Sequence, residues 1–388
     1  MVLFLFLARM VYNIVMKYLA VLGRLTKISL AEVEAIFGNA KKVGQTAVFE
    51  SDEKPEIDRF GGVMKFAEYL EESPLEFLKK VPDGKITIGV SDYSKNATRK
   101  TASMEALKLK KILVRHGRSV RVVENKEAVL STATSLHNGL SGGNARKIEF
   151  AKLGNEWYRV IGVQNIDAYA RRDQARPARD AFVGMLPPKL AQILINLCGE
   201  LPMGATVLDP FCGTGVVLQE ALLMGYEAYG TDLSERMVEY SEKNLKWLSA
   251  AIKEDSMGRY RLSVGDATSF KWEKPIDAVA CEGYLGQPMS MVPTEIKLKA
   301  EKQNCETIIV GFLKNLSAQL ASGTPVVVAA PAWLKRDGGY ERLKILSEKR
   351  VDVFDEMGYN VDNRTCEGLL YSREGQIVAR DIIILRKK

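Results

Sequence analysis

The sequence predicts an α/β protein, with a C-terminal half built on a mostly parallel sheet and an N-terminal half of smaller α+β modules. Three observations predict it. The run Thr206-Val207-Leu208 ends in Asp209, and Gly213 and Gly215 follow before an apolar helix begins. Two later apolar runs also end near acids, at Asp232 and Asp266. Ahead of all of these, short strand-like runs alternate with amphipathic, glycine-stopped helices.

Length and composition set limits. At 388 residues the chain has room for roughly two or three domains, and 46% hydrophobic residues suffice for buried cores. The five cysteines, Cys198, Cys212, Cys281, Cys305 and Cys366, form no C-x-x-C pair, and there are only two histidines. This argues against a zinc site, a disulfide framework and Ser-His-Asp or Cys-His catalysis, and points to a reducing, cytoplasmic setting without a metal. Met1 to Leu7 are apolar, but Arg9 interrupts them, so neither a signal peptide nor a membrane span is expected. Residues 1–16 form an N-terminal extension of uncertain structure, and Met10 and Met16 are alternative starts.

Elements follow in order. Tyr18 to Gly23 is a strand. Ser29 to Gly38 is a helix in which Ser29 caps, Glu32 completes a capping box and Gly38 stops. Short strands at Ala47–Phe49 and Gly62–Ala67 complete a first module over residues 17–84. A second module, 85–166, opens with the alternating strand Ile86–Ser91. A helix over about Ser103–His116 carries Leu109, Ile112, Leu113 and His116 on one stripe, which makes His116 a packed residue. Lys108, Lys111 and Arg115 share the opposite face. Ser119 to Val123 is a strand, and a short helix over about Ala128–Leu136 leads to Asn138-Gly139.

Charge is concentrated in this module. Ten Lys and Arg lie between Lys95 and Lys126, opposed only by Glu105 and Glu124, so this stretch alone exceeds the net +7 of the whole chain. Such a patch is either a solvated helix face or the footprint of a polyanion. Gly89-Val90-Ser91, Leu109-Lys110-Lys111, Gly117 to Arg121 and His137 to Leu140 together resemble a THUMP module behind a ferredoxin-like lead-in. The resemblance implies binding of tRNA, with Lys108, Lys111, Arg115, Arg118 and Arg121 on phosphates.

Residues 167–200 form a linker and a leading helix. Arg171 to Asp180 is arginine-dense. It reads as a charged linker pinned by ion pairs or as a hinge in which Arg172, Arg176 and Arg179 touch RNA. In the segment from Gly184 to Leu197, a proline-opened helix carries the stripe Leu190, Ile193, Leu194 and Leu197. A similar R-P…P-K-L-A…N-L segment precedes the glycine turn in THUMP-linked guanine-N2 methyltransferases.

Residues 201–388 carry the chemistry. A parallel strand hands its chain over a ligand through a turn of this kind, and the glycines remove Cβ atoms that would hold a ligand off the backbone. The order Asp-x-x-x-Gly-x-Gly differs from the dehydrogenase G-x-G-x-x-G. Asp232 follows Asp209 by 23 residues, where an acid is placed to accept ribose hydroxyls. Asp209-Pro210-Phe211-Cys212-Gly213-Thr214-Gly215 resembles the first motif of class I, Rossmann-like methyltransferases of the amino-methylating subset. This implies a seven-stranded, mostly parallel sheet and S-adenosyl-L-methionine as cofactor. The residues implied to bind it are Asp209, Pro210, Phe211, Gly213, Gly215, Asp232, Leu233, Asp266 and Ala267, with Asp266 facing the adenine amine.

A fourth strand, Ile276–Cys281, leads into Glu282-Gly283-Tyr284-Leu285-Gly286. Amino-methylating enzymes carry (D/N)-P-P-(Y/F) here, so Glu282, Gly283, Tyr284 and Leu285 are the catalytic candidates and depart from the pattern. The lone pair of an exocyclic base amine is delocalised into the ring. A side-chain acceptor and a strand-end carbonyl that take its N–H bonds free that pair for attack. Glu282 keeps the acceptor, Gly283 loosens the turn, and Leu285 packs without stacking. Cys281 is either a buried strand residue, the favoured reading, or a nucleophile of the carbon-5 type. Thr324–Pro331 is a fifth strand, and 368–385 a hairpin turning at Glu374-Gly375. Nothing in the sequence assigns chemistry to Arg373, Gln376 or Arg380. The resemblance as a whole is to tRNA guanine-N2 methyltransferases acting at guanosine ten. Methylation of another RNA or DNA base, or cofactor and RNA binding without turnover, stays open.

Overall fold

The computed structural model describes residues 15–180, 185–251, 258–346, 350–366 and 368–388. The expected N-terminal extension, apart from its last two residues, lies outside them, as do Gly184 and the side chain of Cys366. The chain forms two compact units, Met1–Ala168 and Tyr169–Lys388.

The first unit begins with β1 (Met16–Leu22), α1 (Thr26–Phe37), β2 (Ala40–Val43), β3 (Thr46–Ser51), β4 (Val63–Tyr69) and α2 (Pro74–Lys79). It continues with β5 (Ile86–Asp92), α3 (Arg99–Arg115), β6 (Val120–Val122), α4 (Thr132–His137), β7 (Lys147–Leu153) and β8 (Glu156–Val163). Helix α5 (Ile166–Gln174) carries the boundary between the units. The strands form one mixed sheet in the order β2-β3-β1-β4-β8-β7-β5-β6. The antiparallel pairing of β4 with β8 therefore joins the strands of both expected modules.

Two local expectations are corrected here. Helix α1 starts at Thr26 with no side-chain cap. Ser29 and Glu32 are buried inside it, and the Glu32 carboxylate accepts the N–H groups of Gly61 and Gly62 at 2.9 and 2.8 Å. A tertiary interaction thus takes the carboxylate that the local pattern assigns to a capping box. His116 is exposed at the C-cap of α3, where Nδ1 meets the Ile112 carbonyl at 2.9 Å. The buried stripe is Ala102, Ala106, Leu109 and Leu113.

The second unit holds α6 (Pro188–Asn196), β9 (Thr206–Asp209), α7 (Val216–Leu223), β10 (Glu227–Asp232), α8 (Glu235–Ala251), β11 (Tyr260–Val264), β12 (Ala278–Glu282) and α9 (Glu295–Ser317). It ends with β13 (Pro325–Leu334), β14 (Tyr340–Arg342), α10 (Arg350–Glu356), β15 (Tyr359–Val361), α11 (Asn363–Cys366), β16 (Leu369–Tyr371) and β17 (Val378–Lys387). The sheet has nine strands rather than seven. Seven lie on one path, β11-β10-β9-β12-β13-β17-β15, with β14 beside β13 and β16 beside β17. Strands β11 to β13 along this path are parallel, while β17 runs antiparallel to both β13 and β15. Central strands read as continuous apolar runs because helices cover both faces. Cys305, Ile309, Phe312, Leu313 and Leu316 of α9 close one face over Val279, Val326 and Val328. The order reverses between β9 and β12, and ligands of such sheets sit at the carboxyl ends of the strands there.

Candidate active site

The chemistry-bearing residues of the second unit collect at those carboxyl ends. Asp209 closes β9 at 2% exposure, and its Oδ1 accepts the Phe211 N–H at 3.1 Å. Gly213 and Gly215 have positive φ, 51° and 80°, for different reasons. A Cβ on Gly215 would stand 2.9 Å from Ser241 Oγ, so this glycine lets α8 approach. A Cβ on Gly213 would meet nothing nearer than the Phe211 carbonyl at 3.9 Å, so the space over it is open. The turn is held from behind. Ser241 Oγ donates to the Gly213 carbonyl at 2.8 Å, and Asn244 Nδ2 donates to the Thr214 and Ala178 carbonyls at 2.8 and 2.9 Å. No side chain caps the N-terminus of α7.

Asp232 closes β10 and accepts two backbone N–H groups, Gly213 at 2.9 Å and Ser234 at 2.9 Å. Leu233 beside it is 73% exposed. Asp266 lies two residues beyond β11 in an exposed turn, where Oδ1 accepts from Thr268 N at 2.8 Å and Thr268 Oγ1 at 2.7 Å. These bonds hold its carboxyl below the usual range. Ala267 is buried. Pro210 is buried too, and the half-buried Phe211 ring sits edge-on to Phe312 with centroids 5.0 Å apart.

Glu282 closes β12, parallel to β9 and β13. Its Oε1 accepts Arg380 Nε of β17 at 2.8 Å, and Arg380 Nη1 donates to Gln376 Oε1 at 3.3 Å. Gly283 donates its N–H to the Ala329 carbonyl at 3.0 Å, and Tyr284 OH accepts Gln287 Nε2 at 3.3 Å. Leu285 is half-buried. Gly286 has φ 85°, and a Cβ there would stand 2.9 Å from Glu301 Oε2. Arg380 is the site residue that sequence reasoning missed. Its signal was the charged pair Arg380-Asp381 inside the otherwise apolar run Ile377–Leu385.

The electrostatics are acidic. Burial pushes the Asp209 carboxyl well above its usual range, and the charges of Asp232 and Glu282 push the same way against the Phe211 N–H. Burial also raises Asp232, against its two backbone donors. Burial raises Glu282, and Arg380 opposes it. Among the described residues three acids therefore face one turn with one paired guanidinium, Arg380, among them, a field that suits a cationic ligand. Among the described residues no group of His, Cys, Asp and Glu could hold a metal ion, and no helix is long and apolar enough to cross a membrane. Cys281 is fully buried, and burial with Asp209 beside it pushes the thiol well up, which denies it the thiolate a nucleophile needs.

The basic candidates divide. In the first unit Lys108, Lys111 and Arg115 are exposed on α3. Arg121 is exposed and donates to Asn138 Oδ1 at 3.0 Å, while Arg118 is half-buried on the Val81 and Pro82 carbonyls. Lys95 and Lys108 line a cavity of about 620 Å³ with Thr101, Met104 and Asn155. In the second unit Arg179 is exposed. Arg172 and Arg176, left open in the sequence between ion pairing and RNA contact, are both paired. Arg172 donates to both carboxylate oxygens of buried Glu220, at 2.7 and 3.1 Å. Arg176 is 3% exposed and pairs at 3.9 Å with Asp173. Arg172 is turned inward because unpaired burial of Glu220 would cost more than the loss of a solvent-facing arginine, and Arg176 is buried beside Asp173.

The chain is similar in sequence to known proteins. The pattern of a DNA methylase family matches residues 85–243, and that of an RMKL-like methyltransferase domain matches residues 176–331. A tRNA (guanine(10)-N2)-dimethyltransferase of Methanothermobacter thermautotrophicus is 32% identical over 164 residues, covering 42% of this chain and 44% of that one. One of Pyrococcus abyssi is 42% identical over 104 residues, 26% of this chain and 29% of that one. A probable tRNA (guanine(10)-N2)-dimethyltransferase of Methanothermococcus thermolithotrophicus is 34% identical over 114 residues, 29% of this chain and 67% of that one. The match thus spans less than half the length of the first two relatives.

Proposed function

This chain belongs to the tRNA (guanine(10)-N2)-dimethyltransferase family, and we propose from that premise that it methylates an exocyclic base amine of tRNA, N2 of guanosine ten, with S-adenosyl-L-methionine. One observation carries the reading: Asp209, Asp232 and Glu282 converge on a glycine turn whose outer side is open at Gly213.

The residues present fit the cofactor. Asp232 offers the remaining lone pairs of its carboxylate to ribose hydroxyls, exposed Leu233 offers an apolar face, and the turn from Asp209 to Gly215 lets a ligand approach the backbone. The bound cofactor supplies a methyl group on a positively charged sulfur. The acidic strand ends favour that charge. Glu282 accepts an N–H of the base amine and draws its nitrogen toward tetrahedral geometry, while Tyr284 and Leu285 border the base. Domain roles follow the same reading. Residues 17–84 act as a ferredoxin-like lead-in, 85–166 as a THUMP module, 167–200 as linker and leading helix, and 201–388 as the methyltransferase domain. The exposed Lys108, Lys111 and Arg115, with Arg118, Arg121 and Arg179, hold tRNA phosphates.

Nucleoside mass spectrometry of tRNA from a deletion strain tests the reading. Loss of N2-methylated guanosine, restored by the wild-type gene, is expected. An unchanged level sinks the substrate assignment, and a change in another methylated base reassigns it.

A further inference from the structure

We propose that Arg380 is a positioning residue for the reaction, fixing the orientation and the charged state of Glu282 so that its carboxylate can accept the bond of the base amine. The inference rests on the proposed amine-methylating role of this site.

The geometry is specific. Arg380 sits on β17, two strands away from β12 in the sheet order, and its Nε reaches Glu282 Oε1 at 2.8 Å. Both side chains are largely withdrawn from water, at 6% and 15% exposure. Gln376 Oε1 accepts Nη1 of the same guanidinium at 3.3 Å, which restrains its far end. Next along β17, Asp381 is fully buried and pairs with Arg342. Arg380 therefore enters the site from a strand already fixed by its neighbours.

The chemistry needs this partner. A buried carboxyl without a counter-charge takes up a proton, and a protonated carboxyl offers an O–H where the reaction requires an acceptor. Burial works against ionisation of Glu282. Asp209 on β9 and the Cys281 thiol on β12 lie within electrostatic reach, and on α9 Glu301 and Cys305 back Gly286 and Tyr284. Among the described residues, Arg380 is the cation that opposes burial at Glu282. In the family pattern two prolines stiffen the turn after the acid. Here that residue is followed by Gly283 and Tyr284, and the guanidinium supplies the orientation the backbone no longer fixes.

The test compares Arg380→Gln and Arg380→Lys with wild type, using tritiated-methyl transfer to tRNA over a range of pH. In R380Q the acidic limb of the kcat profile is expected to move to higher pH, with kcat near neutrality about 10- to 100-fold lower. R380K is expected to restore most of the limb's position. Cofactor affinity stays within about twofold in both. A loss of equal size at every pH, or an unshifted limb, overturns the proposal and leaves Arg380 a merely structural residue. If R380Q does not fold, Gln376→Met tests the same restraint, with a smaller shift in the same direction expected and no shift overturning it. Should wild type transfer no methyl group, the functional reading fails separately. Infrared difference spectra against Glu282→Gln then decide the charge-state claim. The Glu282 carboxyl stretch is expected at neutral pH in R380Q and absent in wild type, and the same spectrum in both overturns it.

Discussion

Two acids at the strand ends, Asp209 and Glu282, illustrate how a carboxyl group takes different work from its surroundings. Asp209 is buried with like charges beside it, so its carboxyl titrates well above the ordinary range. The sign of the resulting stability effect is fixed. The unfolded chain ionises this group at lower pH than the folded protein does, so stability falls as pH rises from the unfolded value through the folded one. Asp209→Asn is therefore expected to stabilise the ligand-free protein at neutral pH by about 1 kcal/mol, as functional-site replacements commonly do. Thermal unfolding at pH 7 and pH 4 measures it, and a gain that does not shrink at the lower pH contradicts the argument. The same variant is expected to bind S-adenosyl-L-methionine at least ~10-fold more weakly by calorimetry, because in the proposed site the acid supports the turn that would carry the cofactor. Glu282 has the other task. Its replacement by Gln keeps size and burial but removes the charged acceptor, so kcat is expected to fall roughly 100- to 1,000-fold with cofactor affinity intact. If cofactor affinity falls along with kcat, Glu282 belongs to the cofactor site instead.

At the level of elements, the turn between β9 and α7 shows why two glycines so close together are not equivalent. Both have positive φ, but only Gly215 is pressed against a neighbour, Ser241 of α8. Gly215→Ala combines backbone strain with a clash and is expected to cost about 2 to 3 kcal/mol of stability. Gly213→Ala meets open space and is expected to cost about 1 kcal/mol while weakening cofactor binding more than its neighbour does per unit of stability lost. Denaturant unfolding alongside cofactor titration separates them, and equal stability losses would show that packing against α8 is not the distinction. This turn was readable in the sequence because everything that defines it is local: an apolar run, an acid and two glycines within ten residues. What the sequence hid was non-local. Ser29 and Glu32 have the spacing of a capping box, yet Glu32 spends its oxygens on Gly61 and Gly62, across the fold. Ion pairing of Arg172 was one of two readings of the linker, but its partner, Glu220, lies on α7 beyond the linker and leaves no local signal. Arg380 paired with Glu282 only once β17 was placed beside β13 and β13 beside β12. The two extra strands, β14 and β16, are three residues each, too short to leave a period.

On the scale of the whole molecule, charge and chemistry are divided between two units. The second unit gathers its acids at one end of a parallel sheet and turns Arg172 and Arg176 inward, which leaves these two unavailable to a polyanion. The first unit does the opposite. Its sheet buries Lys65 against Glu149 at 2.6 Å, with Ser91 and Ser135 completing the bonds, while α3 presents its cations to solvent. The polyanion affinity of the chain should therefore reside in α3 and its surroundings, and it should be electrostatic rather than sequence-reading. The combined replacement Lys108→Glu, Lys111→Glu and Arg115→Glu tests this. All three side chains are exposed on α3, so the fold should tolerate the change. Every phosphate that a cation ceases to neutralise takes roughly 0.7 to 0.9 off the slope of log affinity against log salt. With three cations replaced, a fall of about 2 is expected, together with weaker tRNA binding at low salt. Cofactor binding should be unaltered, since the residues proposed for it lie in the second unit. If the triple variant keeps the wild-type salt slope, the basic face of α3 is a solvated surface, and the exposed cations elsewhere in the chain must account for any tRNA binding.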